Sequence, residues 1–182
     1  MSMTQTRTFS GAKSAEIAFP LGGIGTGSIS LGGRGDLRDW EIFNKPGKGY
    51  APQFSFFAVR TEKPGEKPVA RVLQSPPLPP YSGRGFGLKR ENGNGLPHVK
   101  SAVFRGEYPF AFIDFSDPGL PVKISLEAYN PFIPFNAIDS GIPAAIFNFK
   151  LENVSGSPVR LSLAASMQNA AGHPEPGGNL NR

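Results

Sequence analysis

The chain has 182 residues and a formal charge of +5, long enough for one domain with a real core. It contains no cysteine, which excludes disulfides, a thiol nucleophile and a cysteine-based zinc site. Glycine (23) and proline (19) are abundant but stay short of a disordered composition, and 15 phenylalanines also argue for a packed domain.

Residues 1–15 carry no apolar run of the length a secretory signal needs and are expected as a flexible lead-in. No stretch of eighteen apolar residues occurs, so no membrane-spanning helix is expected and a cytoplasmic location is favoured. The first strong feature is Pro20-Leu21-Gly22-Gly23-Ile24-Gly25-Thr26-Gly27, followed by a second glycine cluster at Gly32-Gly33-Arg34-Gly35-Asp36. A dinucleotide fingerprint would need a third glycine or alanine where Ser28 or Ser30 stands, and a phosphate loop would need lysine in place of Ser28. Ser28-Ile29-Ser30-Leu31 alternates like a strand, so no helix N-terminus is offered to a phosphate. The glycines are therefore expected to serve turns and close backbone approach. The second turn delivers Leu37-Arg38-Asp39-Trp40-Glu41, with the single tryptophan among charges. Strict alternation would put Asp39 and Glu41 on one face and Trp40 on the other.

Further along, strand patterns recur at 54–60, 99–104, 111–115, 122–127, 146–152 and 159–163, with little sign of helix. The turn Asn153-Val154-Ser155-Gly156-Ser157-Pro158 predicts that the last two strands form a hairpin. Short strands with frequent turns predict an all-β fold, an antiparallel β-sandwich. Residues 62–98, rich in proline and glycine, read as a long excursion or a polyproline segment over the sandwich surface, and residues 171–182 as a loop with no closing strand. The sandwich is thus expected to be incomplete.

Individual residues offer little chemistry. His98 and His173 lack ligand spacing, so no metal and no cofactor is expected. The basic loop 82–95 reads as a solvated loop, and no nucleic acid is expected as a partner. Asn153-Val154-Ser155 matches a glycosylation sequon, read as chance.

Several motifs follow one another in order along the chain. They are Pro20–Gly27 with Arg34-Gly35-Asp36, then Asp39-Trp40-Glu41-Ile42-Phe43-Asn44-Lys45-Pro46, Tyr108-Pro109-Phe110-Ala111 and Leu120-Pro121-Val122. Glu127-Ala128-Tyr129-Asn130-Pro131-Phe132-Ile133-Pro134, Asp139-Ser140-Gly141-Ile142-Pro143 and Ser166-Met167-Gln168-Asn169 complete the set, over residues 16–170. Together they resemble glycoside hydrolase family 116, which includes the non-lysosomal glucosylceramidases, or bile-acid β-glucosidases. The resemblance implies an N-terminal β-sandwich packed on a C-terminal (α/α)6 helical barrel that hydrolyses β-glucosides with retention. Retention needs two carboxyl groups about 5–5.5 Å apart. The resemblance puts both in the helical part, absent from this sequence, so no catalytic residue is assigned here, and Asp39 and Glu41 are expected to serve charge pairing. Arg34, Asp36, Arg38, Trp40 and Asn44 are the candidates for an interface or a position flanking the sugar. Asn130–Pro134 is expected to be architectural, with Phe132 and Ile133 in the core, or else to dock the helical barrel. The expected partners are that barrel and, through it, a β-glucoside. The alternatives are a carbohydrate-binding module using Trp40, Tyr50 or Tyr81, and a basic RNA-binding module using the loop 82–95.

Overall fold

The computed structural model describes residues 7–42, 44–77, 93 and 95–168. Among the described residues it is nearly all β, with eleven strands in three antiparallel sheets. The five-stranded sheet has the order β1 (Thr8–Ser10), β7 (Ser101–Glu107), β8 (Phe110–Ser116), β9 (Val122–Tyr129), β10 (Ile146–Asn153). A three-stranded sheet, β11 (Arg160–Ser166), β5 (Phe56–Glu62), β6 (Val69–Val72), packs against it. The third sheet orders β2 (Ala18–Leu21), β3 (Ser28–Gly32) and β4 (Leu37–Glu41).

Alternation drives this arrangement. In β9, Val122, Ile124, Leu126 and Ala128 are buried, while Lys123 is exposed and Ser125, Glu127 and Tyr129 are half-buried. In β8 the same rule buries Ala111, Ile113 and Phe115. The inner residues join those of the other sheets in one core cluster that includes Leu21, Leu31, Trp40, Val59 and Leu73. Between layers, Phe57 of β5 meets Phe147 and Phe149 of β10 at ring separations of 5.1 and 5.0 Å.

Three expectations are corrected. β10 and β11 form no hairpin: β10 pairs with β9 and β11 with β5, so the Asn153–Pro158 turn carries the chain from one sheet to the other. Within the expected lead-in 1–15, Thr8–Ser10 pairs with β7 and a 3-10 turn follows at Gly11–Ser14. Within the expected excursion 62–98, Val69–Val72 is a strand on β5, and the chain returns to it where Val99 N donates to Val72 O at 3.1 Å. Residues 78–92 of the excursion and the loop 171–182 lie outside the described residues. Among the described strands, β10 and β11 each end a sheet with one neighbour.

Candidate functional site: an apolar loop end

The glycine stretch sits where backbones meet. A Cβ on Gly23 would collide with the carbonyl oxygen of Ile142 and lie 2.8 Å from the carbonyl carbon of Gly141. A Cβ on Gly27 would be 2.7 Å from the Glu41 carbonyl oxygen, with the added demand of a φ of +90°. This is the turn-and-approach role expected from the sequence. The β2–β3 loop is thereby pressed on the segment after β9, and Ile24 N donates to Ser140 O at 2.8 Å. Asn130, at the exit of β9, closes the same seam: its Nδ2 donates to Pro20 O at 3.0 Å and its Oδ1 accepts from Gly22 N at 2.7 Å.

The five polar candidates separate by depth. Arg34 and Asp36 lie buried in the second glycine turn, Nε to Oδ1 3.7 Å, with Ser75 N donating to the Arg34 carbonyl at 2.9 Å. Arg38 is half-buried; its Nη1 donates to Ala15 O at 3.0 Å and its Nε lies 3.9 Å from Asp39 Oδ2. Trp40 is buried in the core, while Asn44 is exposed at a φ of 54°. Strict alternation fails here: Asp39 has a φ of 51° at an irregularity in the β3–β4 register, so Asp39 and Trp40 are both buried. Asp39 Oδ1 then accepts from Gly49 N at 2.7 Å, which ties down the following loop. Glu41 instead pairs with Lys48 at 2.7 Å, and this hydrogen bond raises the Lys48 ammonium above its ordinary value. The two carboxylates are thus occupied in holding loops.

Sequence reasoning put Phe132 and Ile133 in the core, but both are exposed. They begin a row of exposed apolar side chains on residues 131–142 that also contains Phe135, Ile138 and Ile142, with Ile24 beside it from the β2–β3 loop. Phe135 is fully exposed at a φ of 64°, a conformation rare for a bulky residue, and Ile138 is 87 % exposed. The segment is tightly held: Ser140 Oγ donates to Ile133 O (3.0 Å) and accepts from Ile133 N (2.8 Å), and Asn136 caps the one-turn helix α1 (Ala137–Ser140). Tyr108, itself exposed, extends the surface through its ring contact with Phe132 at 5.7 Å. Exposed apolar side chains gathered on one held segment are the kind of surface that partners cover.

A family model described as beta-glucosidase 2, glycosyl-hydrolase family 116 N-term, matches residues 18–182. The chain belongs to glycoside hydrolase family 116, as its N-terminal domain. Membership in that domain implies a catalytic partner domain on the C-terminal side. In this family 116 domain, no group of acidic or histidine side chains among the described residues could hold a metal ion. His98 is half-buried between the carbonyls of Gln74 (3.1 Å) and Gly93 (3.2 Å). Burial lowers its pKa; the two carbonyls pull upward, the Arg34 charge adds to the lowering, and burial prevails. Tyr81, His173 and most of the basic loop lie outside the described residues, whereas Tyr50 is exposed.

Proposed function

We propose that this family 116 domain is the scaffold and docking half of a retaining β-glucosidase of the glucosylceramidase type, and that an (α/α)6 helical domain carries its catalytic carboxylates. The observation that carries the reading is the rigid apolar end formed by Ile24, Phe132, Ile133, Phe135, Ile138 and Ile142. Leaving such side chains in water costs roughly 25 cal/mol per Å² of apolar surface, which burial against a partner recovers. Of the polar candidates, Arg38 and Asn44 are accessible, whereas Arg34 and Asp36 lie buried in the β3–β4 turn, at the opposite end of β3 from the β2–β3 loop, and Trp40 lies in the core. The β-glucoside is then met at the partner domain rather than within this chain.

The test is to purify the chain and the helical region of its parent protein separately and to mix them. The chain alone is expected to leave an aryl β-glucoside intact, and the mixture to form a one-to-one complex that hydrolyses it. Phe135→Ser with Ile138→Ser is expected to abolish the complex while leaving the fold intact. Turnover by the pure chain, or a complex indifferent to both substitutions, would refute the reading.

A further inference from the structure

The outer face of the five-stranded sheet carries a second candidate site. Cross-strand pairing sets its side chains in rows: Arg105, Phe112, Glu127 and Asn148, then Val103, Asp114, Ser125 and Lys150, then Lys123 beside Glu152. Two hollows of about 420 and 310 Å³ lie along these rows and share Asp114, Ser125 and Lys150, so they form one trough. Neighbouring strands lie about 4.8 Å apart, which makes the trough several side chains wide.

Its first row is already organised. The Arg105 guanidinium lies 4.0 Å over the Phe112 ring and its Nη1 is 2.7 Å from Glu107, so it is held flat with donors to spare. Phe110 stacks on Phe112 (6.3 Å, 20°) and meets Tyr129 at 5.4 Å, giving an apolar wall. Asn148 Nδ2 donates to Glu127 Oε1 at 3.3 Å. The second row is different: among the described residues, Asp114, Ser125 and Lys150 form no side-chain hydrogen bond or ion pair. An acceptor, a hydroxyl and an ammonium therefore stand in line with free capacity, beside an aromatic wall.

Closely interleaved acids, amines, amides and hydroxyls suit a neutral ligand dense in hydroxyl groups, each able to donate and accept. They suit a polyanion poorly, because Asp114, Glu127 and Glu152 line the same trough. A trough that runs along the strands over three successive rows matches an extended ribbon better than a coiled chain. We propose that this trough is a non-catalytic subsite for an extended, β-linked oligosaccharide, with Arg105, Asp114, Glu127, Asn148 and Lys150 bonding its hydroxyls and Phe112 supporting the wall. Family membership contributes only the choice of β-linked glucose as probe. The site does not depend on the docking reading.

The experiment is calorimetric titration of the full chain with cellotetraose, and with maltotetraose as the coiled counterpart. Cellotetraose is expected to bind in the millimolar range or tighter and maltotetraose at least about tenfold more weakly, a difference of about 1.4 kcal/mol. Asp114→Ala and Lys150→Ala, both at exposed positions, are expected to weaken cellotetraose severalfold each with unchanged thermal unfolding. Phe112→Ala is expected to weaken it more. No heat with cellotetraose, equal binding of both sugars, or affinity unchanged in Asp114→Ala and Lys150→Ala would each overturn the proposal. None of these results bears on association with the helical region, so the two readings fail separately.

Discussion

Gly23→Ala isolates what the glycine stretch does. Gly23 has no positive φ, so alanine meets no backbone penalty there; the whole cost is the collision of its Cβ with the Gly141–Ile142 peptide. That obstacle is main chain and cannot rotate away. Overpacking of this kind costs about 1–3 kcal/mol, and displacement of the loop would also forfeit the Ile24–Ser140 hydrogen bond, about 1 kcal/mol. Alanine restricts the unfolded chain and returns about 0.4–1 kcal/mol. The net expectation is a loss of about 1–3.5 kcal/mol. Gly25→Ala is the control: its φ is 73° but nothing lies within 4 Å of an added Cβ. There the left-handed penalty of about 1–2 kcal/mol, less the same entropic gain, leaves about 1 kcal/mol. Urea unfolding followed by fluorescence of Trp40, the sole and buried tryptophan, measures both. Gly23→Ala as stable as the parent, or Gly25→Ala the worse of the two, would refute the close-approach reasoning.

Asn130→Ala removes both halves of the clamp on Pro20 and Gly22, at an expected cost of about 2–3 kcal/mol. For a domain of this size that lowers the calorimetric unfolding temperature by about 2–4 °C per kcal/mol. Gln74 has no exposed surface, and both side-chain amide atoms lack a hydrogen-bond partner, so Gln74→Met is expected to stabilise by about 1–2 kcal/mol; a loss in urea midpoint would contradict this. Burial favours the neutral form of His98, so its folded pKa lies below the unfolded value of about 6.5. The unfolded chain therefore takes up the proton first. Its contribution is intact above about pH 6.5 and declines as pH falls from there through the lowered folded value; urea midpoints of wild type and His98→Gln across this window measure it. A His98→Gln profile as steep as the wild type would remove His98 from the account.

Most strands were legible because burial on one face imposes alternation, as in β8 and β9. Which strands would pair was not. The turn at Asn153–Pro158 announces a reversal, but the same Ser, Gly and Pro residues serve a hairpin or a crossing between sheets. The choice depends on Phe57 packing on Phe147 and Phe149, about ninety positions away. β1 and β6 are too short to alternate over a useful length. At the candidate site, the glycines and Asn130-Pro131-Phe132-Ile133-Pro134 stood out in sequence. Their joining did not, since Asn130 reaches across more than a hundred residues to Gly22. Phe132 and Ile133 are apolar, and apolarity alone does not distinguish a core position from an exposed interface. The positive φ at Asp39, which defeats alternation beside Trp40, has no sequence signature beyond the tolerance of Asp for that region. The trough on the outer sheet face lay hidden in register, because its rows draw single residues from four strands.

The apolar end can be probed directly by backbone amide exchange of the chain with and without the helical region of its parent protein. Docking through Ile24, Phe135 and Ile138 is expected to slow exchange at residues 23–26 and 131–142 and to leave β7 and β8 unchanged. Complex formation that protects the outer face of the five-stranded sheet while residues 131–142 exchange as before would contradict the account.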